Sequence, residues 1–478
     1  MAQEPTGVQA ADTKTRQIYS LLRERIFQGQ YFAGMRLPSS RELAQELGVS
    51  RTLVVSVYEQ LVAEGYLEGR LGSGTYVVDL ENRKPARFEK SDQSFHSSRK
   101  QPDDGYGFDG VDFRPSFPSM EHVPRKKWRE VAYKVYDQLD DREYGYAGPA
   151  GHWGLRLQIC DMLLNTKGIL CDPEQVVVTA GATQAITLVC KLLLQPGETV
   201  ISEDPTSTFI HGIFQTAGAD IVPVPVDTQG LRVQDIPGQA RPRLVFVTPS
   251  HQFPFGSILS IGRRMELLEY ARNTGCFIIE DDYDSEFRYA GMPVHALREL
   301  DAERVIYIGT FSKNLFPALR IGYMVLPRDL VAPMEGIKRL MDMHTPTLDQ
   351  AILARFIADQ HLQRHVTRMK RVYSRRRKLL IRSLSETFGN RIQVSGDATG
   401  LHLIAEFSGH IFDEERVRAL AEKGVRVYPA EKYAIVKGRF EDKLIMGFGD
   451  AAEPQIPEGV RRIAGVLRDW ENNETARE

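Results

Sequence analysis

Lys313 lies in the run Tyr307-Ile-Gly-Thr310-Phe-Ser312-Lys313-Asn-Leu-Phe-Pro-Ala-Leu-Arg320-Ile-Gly-Tyr323. An amine preceded by two hydroxyl side chains and followed by a guanidinium suits imine formation with an aldehyde whose attached phosphate the neighbours hold. Pyridoxal 5'-phosphate asks this of a protein, because the ring is the electron sink and the chain supplies attachment, orientation and charge. Asp281, in Ile278-Ile-Glu-Asp281-Asp-Tyr283-Asp-Ser-Glu-Phe287, follows an apolar run that reads as a strand. It can keep a pyridinium nitrogen protonated through a charge-assisted hydrogen bond, and Tyr283 can reach the ring hydroxyl. Gly181, Ala182 and Thr183 follow the Val176-Val-Val178 run and open a helix, whose free amides and positive dipole end favour phosphate. Thr310, Ser312 and Arg320 complete that grip. His251 and Gln252 read as polar pocket walls and not as a catalytic base.

The first 78 residues carry a different chemistry. Ile18, Leu21, Leu22 and Ile26 recur at helical spacing, and Ser39-x-x-Glu42 is a capping box that opens a helix with Leu43, Ala44 and Leu47 inward. Gly48-Val49 turns the chain. Ser50 then caps a third helix, with Val54, Tyr58, Leu61 and Val62 inward, which stops at Gly65. Two strand-like runs follow, Tyr66-Leu-Glu68 and Thr75-Tyr-Val77. The order predicts a winged helix-turn-helix. Such a unit enters the major groove by the N-terminus of its second motif helix, so Ser50, Arg51 and Thr52 meet base edges and phosphates. Arg41 can clamp backbone or guanine, and Arg70 with Gly72 and Gly74 forms a thin wing tip.

These sites need more than one core to hold them. At 478 residues, 42% hydrophobic and 26% charged, the chain exceeds a single ordinary core. The net charge of -2 points to no polyanion partner, and residues 1–78 balance eight Lys and Arg against eight Asp and Glu. DNA contacts must therefore come from arrangement and not from bulk charge. Residues 79–107 are polar and Pro-containing without apolar period, a linker. Residues 108–478 alternate helices with the β-branched runs Val176–Val178, Thr199–Ile201, Ile221–Val224, Leu244–Val247, Phe277–Ile279 and Val305–Ile308, which predicts a mixed, mostly parallel sheet. The last part, with runs at Leu401–Phe407, Val425–Tyr428 and Leu444–Met446, reads as a C-terminal α+β subdomain. Cys160, Cys171, Cys190 and Cys276 form no metal or disulfide pattern and read as buried hydrophobes in a reducing compartment. With no signal pattern and no apolar stretch of about 18 residues, a cytoplasmic protein is expected.

Gln17 to Val77 resembles the GntR-type winged helix, carrying Leu-Pro-Ser-Ser-Arg-Glu-Leu, Gly-Val-Ser-Arg-Thr and Glu-Gly-Tyr-Leu in order. The resemblance implies double-stranded DNA contacts by Arg41, Ser50, Arg51, Thr52 and the wing. From about Val111 onward the chain resembles fold type I aminotransferases, in which the tyrosine matching Tyr146 usually reaches the phosphate of the other subunit. That implies a homodimer with shared sites. Joined, the two halves are similar to MocR-type, GabR-like regulators, as are the phrases Thr248-Pro-Ser-His-Gln-Phe-Pro254 and Glu280-Asp-Asp-Tyr-Asp-Ser-Glu-Phe287.

The departures from that family concern the ligand. Relatives that bind amino acids carry an arginine where this chain has Ile445. Thr206-Ser-Thr-Phe209 replaces an aromatic and a second arginine, Ser116 replaces a glycine, and Phe255 replaces a threonine. An apolar wall formed with Ile445 and Phe209 is therefore expected in place of a bidentate carboxylate clamp. Lys432, Lys437 and Lys443 could substitute only as point charges. The basic stretch Arg368–Arg382 reads as a solvated helix face. The expectation is a regulator in which pyridoxal phosphate, bound as an imine on Lys313, modulates operator binding or transcription and is itself sensed, as in relatives that control vitamin B6 synthesis, with at most a residual transamination half-reaction. The alternatives are a sensor of an amine or amino acid that reacts with the cofactor, and a true aminotransferase with an accessory DNA-binding domain.

Overall fold

Ser39 and Glu42 close a reciprocal cap: the Glu42 amide donates to Ser39 Oγ (3.3 Å) and the Ser39 amide donates to Glu42 Oε2 (2.7 Å). In the computed structural model, which describes residues 7–79, 108–292 and 294–475, this cap starts the helix Ser40–Leu47, and Gly48 ends it at φ +65. Ser50 caps the next helix, Arg51–Ala63. With the helix Gly7–Phe27 and the antiparallel pair Leu67–Arg70 and Gly74–Val77, the elements make a winged helix-turn-helix around Leu22, Leu43, Val54, Val57 and Leu61. Val62, expected inward, is exposed, and Val57 takes its place. Val54, Val57, Tyr58 and Leu61 form one helical stripe, and Val62 lies a further 100° round.

The chain divides into two compact units, Met1–Asp104 and Gly105–Glu478. The expected linker lies outside the described residues apart from Asp79. In the second unit an eight-stranded sheet runs in the order Val176–Thr179, Gly322–Val325, Val305–Thr310, Phe277–Asp282, Pro242–Val247, Thr199–Asp204, Asp220–Asp227 and Gly230–Leu231. From Val305–Thr310 to Asp220–Asp227 every pairing is parallel. Gly322–Val325 runs antiparallel to both its neighbours. Alternation along these strands separates two cores. Val177, Ile306 and Met324 meet the helix Ala182–Leu193, while Val176, Val178, Tyr307 and Val325 meet the helices Trp153–Lys167 and Thr347–Ala358. Burial on both faces explains why these strands read as continuous apolar runs.

A second sheet, Ile392–Ser395, His402–Phe407, Lys443–Gly447 and Tyr428–Pro429, is antiparallel and packs under the helices His361–Phe388 and Gln455–Thr475. The segment after Phe108 joins this C-terminal subdomain: Val111–Asp112 pairs with Val425–Arg426. Cys190 and Cys276 are buried, whereas Cys160 and Cys171 are only half-buried, with sulfurs 3.5 Å apart. Among the described residues, no helix is long and apolar enough to cross a membrane.

Gly447 shows how tightly the entering segment is held. Its amide donates to the Phe113 carbonyl at 2.9 Å, and a Cβ there would stand 1.8 Å from the Arg114 carbonyl oxygen. Gly447→Ala is therefore expected to cost about 1–3 kcal/mol through overpacking against backbone, measured by chemical denaturation. Gly238→Ala, at a position with no atom within 4 Å of the new carbon, should be near neutral.

Candidate functional site

The carboxyl ends of the parallel strands bring the expected cofactor residues to one edge of the sheet. Gly181 has φ +88 and starts the helix Ala182–Leu193 without a side-chain cap, which leaves first-turn amides for an external anion. The close approach is backbone-dictated. A Cβ on Gly181 would stand 2.8 Å from Arg320 Nη2, and one on Gly322 would stand 2.8 Å from the Gly181 carbonyl carbon. Arg320 itself is left-handed, at φ +49, and its Nη2 donates to the Ala180 carbonyl at 2.8 Å. Opposite, Thr310 Oγ1 donates to Ser312 Oγ (3.0 Å), and both side chains are buried. Thr183 is exposed on the first turn of the helix.

Asp281 ends the strand Phe277–Asp282 with its carboxyl enclosed and Oδ1 without a hydrogen-bond partner. Burial raises that carboxyl to about 7, Asp282 and Asp284 add to the rise, and Lys313 opposes it. Burial pushes the Lys313 amine below the usual lysine value, against the pull of Asp284 and Asp281 and with the help of Arg320 and Arg114. A depressed amine is more often the free nucleophile that an aldehyde requires. The orphaned acceptor, the glycine cradle and the hydroxyl pair together fit pyridoxal phosphate: pyridinium at Asp281, phosphate at Gly181, Ala182 and Arg320, aldehyde at Lys313.

Tyr283 stands next to this set, but its hydroxyl is 2.9 Å from His251 Nδ1, which in turn is 2.7 Å from Asp284 Oδ1. Asp284 was not singled out from the sequence; only its place two residues before Glu286 in an acidic phrase marks it. Gln252 is engaged with backbone on both sides. Its amide donates to the Pro205 carbonyl (2.9 Å) and its Oε1 accepts from the Phe255 amide (3.1 Å), which pins two loops together. Glu203, also missed, accepts from the Thr248 amide (3.1 Å) and hydroxyl (2.6 Å), and burial raises it to about 7.

The wall opposite differs in part from expectation. Ile445 is fully buried, in register with Tyr428 and Ile404, among Phe253, Phe255, Tyr433 and Phe440. Phe209 is 80% exposed and takes no part, because Ile210 and Phe214 are the inward positions of its helix Thr208–Thr216. Lys443 is held by Glu406 (2.9 Å) and Asp442 (3.0 Å), and Lys437 by the Glu431 carbonyl (2.9 Å); Lys432 is exposed. Arg114, overlooked in the sequence, acts on both Lys313 and Tyr428. The basic stretch Arg368–Arg382 is not wholly a solvated face: Arg376 is buried and donates to the Gly449 carbonyl, and Arg377 pairs with Asp397. Tyr146 is 87% exposed, with one edge contact to His344.

On the winged helix, Arg41, Arg51 and Thr52 are exposed at the two helix starts. Arg51 Nε donates to Ser40 Oγ at 3.3 Å, and Ser50 Oγ accepts from the Leu53 amide at 3.4 Å. Arg70 lies 4.5 Å over the Tyr76 ring and pairs with Glu68 at 2.6 Å, so Leu71 and Gly72 form the outermost wing tip. Arg36, which sequence reading missed, leans over Gly74 near the wing tip and pairs by backbone with Tyr76.

Three buried carboxyls, Asp281, Glu203 and Glu280, are raised to about 7. Their stabilising share is full below the ordinary carboxylate value of about 4 and is lost as pH rises through the folded value. The depressed histidines, His402 and His365, act in the opposite sense but only below about 6.5. Apoprotein is thus expected to resist denaturant better at pH 6.5 than at pH 8, and Asp281→Asn to reduce that difference. An unchanged difference would contradict the assignment to Asp281.

Comparison with known proteins agrees with this geometry. The family model for aminotransferase class I and II matches residues 117–441, and that for bacterial regulatory proteins of the gntR family matches residues 14–77. The chain is similar to the probable rhizopine catabolism regulatory protein MocR of Rhizobium meliloti, 36% identical over 96% of this chain and 94% of that protein. It is similar to the pyridoxine biosynthesis transcriptional regulator PdxR of Corynebacterium glutamicum, 31% identical over 95% of this chain and 94% of that one. Among solved structures, the multiple substrate aminotransferase of Thermococcus profundus superposes with a TM-score of 0.70 at 26% identity, covering 76% of this chain and 93% of its own. The chain therefore belongs to the MocR-type regulators, a GntR winged helix joined to a fold type I aminotransferase domain whose cofactor is pyridoxal phosphate.

Proposed function

We propose that this regulator binds its operator as a homodimer in the cytoplasm and that pyridoxal phosphate attached to Lys313 is itself the signal that alters operator binding. The observation that carries the reading is an apolar cluster around Ile445, the position without an arginine clamp, in a chain that keeps the cofactor-type side chains. The enclosed Asp281 acceptor, the Gly181–Arg320 approach and the Thr310–Ser312 hydroxyl pair support attachment at Lys313, and Ile445 is buried among aromatic rings. When bound, the cofactor supplies an aldehyde carbon and an electron sink. Lys313 would be its point of attachment, Asp281 would hold the proton of the ring nitrogen, and the Gly181 cradle with Arg320 would neutralise the phosphate. Ile445 offers an amino acid's carboxylate no guanidinium fork, and a buried unpaired charge costs roughly several kcal/mol. One relative being named for pyridoxine biosynthesis supports the same reading.

Arg114 favours a second reading, in which a small amine or amino acid reacts with the bound cofactor, because its guanidinium is near Lys313 and Tyr428. Steady transamination is disfavoured further, since turnover needs a substrate held with its Cα proton toward the lysine. For the dimer, the exposed aromatics Tyr144, Tyr146 and Trp153 offer a surface for a second copy, with Tyr146 reaching that copy's cofactor phosphate. On DNA, Arg41, Ser50, Arg51, Thr52, Arg70 and Gly72 are the proposed contacts, joined by Arg36.

Purified protein is expected to absorb in the visible and to lose that absorption, together with the reducible adduct, on Lys313→Ala; common amino acids should leave the spectrum unchanged. A reducible adduct that persists in the variant would sink the Lys313 assignment, and a micromolar amino acid that shifts the band would favour the second reading.

Operator binding should weaken steeply with salt as counterions are released, and should involve two half-sites. Arg51→Ala is expected to cost about 1–3 kcal/mol at fixed salt if the side chain reads a base. Full affinity of that variant in a titration would remove Arg51 from the interface.

A further inference from the structure

Behind the half-buried Tyr283 lie His251 and Asp284, a buried pair to which the cofactor site described above gives no role. The side chains of His251 and Asp284 are 1% and 0% exposed. One atom, His251 Nδ1, faces both the Asp284 carboxylate at 2.7 Å and the Tyr283 hydroxyl at 2.9 Å. A ring nitrogen carries either a proton or a lone pair, so it satisfies one neighbour at a time. An ionised carboxylate only accepts. Asp284 therefore draws the Nδ1 proton to itself, and the Tyr283 hydroxyl must place its own proton elsewhere. Without that carboxylate, Nδ1 would stand bare and capture the Tyr283 proton.

The pair is also locked in place. A Cβ at Gly400, which has φ +79, would stand 2.1 Å from His251 Cε1 and 2.6 Å from Asp284 Oδ2. His402, from the adjoining strand, faces the His251 ring at 5.1 Å and is pinned by Ser116 Oγ (3.1 Å) and the Pro254 carbonyl (3.0 Å). Asp284 Oδ2 and His251 Nε2 are both buried without a partner. Native interiors rarely leave two such atoms together without a functional reason. Among the charges facing Lys313, which are Asp284, Asp281, Arg320 and Arg114, Asp284 has the largest influence. Tyr283 is faced by Asp284, Asp281, Glu203 and Asp282.

We propose that Asp284 and His251 are a positioning pair for the cofactor: Asp284 fixes the His251 tautomer that releases the Tyr283 hydroxyl toward the cofactor ring, and its charge keeps the proton on the Lys313 nitrogen. The proposal rests on Lys313 carrying the cofactor.

The test is a pH titration of the visible absorption of cofactor-loaded full-length protein. Asp284→Asn is expected to lower the midpoint at which the lysine nitrogen loses its proton by about one unit or more, the usual effect of removing a close opposite charge. His251→Gln, which keeps the Asp284 charge but withdraws the Tyr283 hydroxyl from the ring oxygen, should move it upward instead, and Asp284→Glu should restore it toward wild type. Folded, loaded Asp284→Asn and His251→Gln proteins that both titrate like wild type would overturn the proposal. Nitrogen-15 NMR of the wild-type holo-protein decides independently of any variant's folding: a proton on His251 Nδ1 supports the pair, and a bare Nδ1 refutes it. Failure of the underlying reading looks different, because the wild type would then show no visible band, or a band that survives Lys313→Ala.

Discussion

A carboxyl group enclosed with an unpartnered oxygen favours its neutral form until a cation shares the enclosure, and Asp281 is held in that condition at the end of a parallel strand. The strand's two-residue period gives its neighbours other duties. Glu280 turns to the opposite face and accepts the Leu297 and Arg298 amides at 2.8 and 2.9 Å. Asp282 does the same with Lys167 at 2.7 Å and the Tyr307 hydroxyl at 2.8 Å. Three successive acids are thus separated into two structural anchors and one, Asp281, left with an unpartnered oxygen. The anchors fix the strand end so that the third cannot relax toward water.

The C-terminal subdomain is tied to the same edge of the sheet by short polar links. Asp204, at the end of its strand, accepts the Ile435 and Val436 amides at 2.6 and 3.2 Å. The Thr206 amide donates to the Tyr433 carbonyl at 3.1 Å. Tyr433 belongs to the aromatic wall around Ile445, and Gly400 presses on His251 and Asp284. The walls of the cofactor pocket are therefore shared between the large sheet and the subdomain. Under the proposed function, a change in the occupant of that pocket would act on both at once.

The strands of the parallel sheet were legible because burial on both faces writes unbroken β-branched runs, and the winged helix because its caps at Ser39, Gly48 and Ser50 are local chemistry. Gly322–Val325 was not foreseen: it is short, follows Arg320 directly and is defined by its antiparallel neighbours and not by a period of its own. Lys313, Asp281 and Gly181 were singled out from sequence because each sits at or just beyond the end of an apolar run, and the structure places them at or after the strand ends Thr310, Asp282 and Thr179. Phe209 was misjudged because helix phase, not residue type, decides which side chain of Thr208–Thr216 turns inward. Gln252 and Asp284 could not be sorted from sequence at all, since their partners, Pro205 and His251, are brought to them only by the fold.

The central claim is that the occupant of Lys313 changes how the winged helix holds DNA. Operator affinity of the apoprotein, measured at one salt concentration with and without added pyridoxal phosphate, tests it most directly when repeated on Lys313→Ala. The account expects a change in wild type of roughly fivefold or more, the usual scale of allosteric coupling, and none in the variant. Equal affinities for apo- and holo-protein, or the same change in Lys313→Ala, would contradict it.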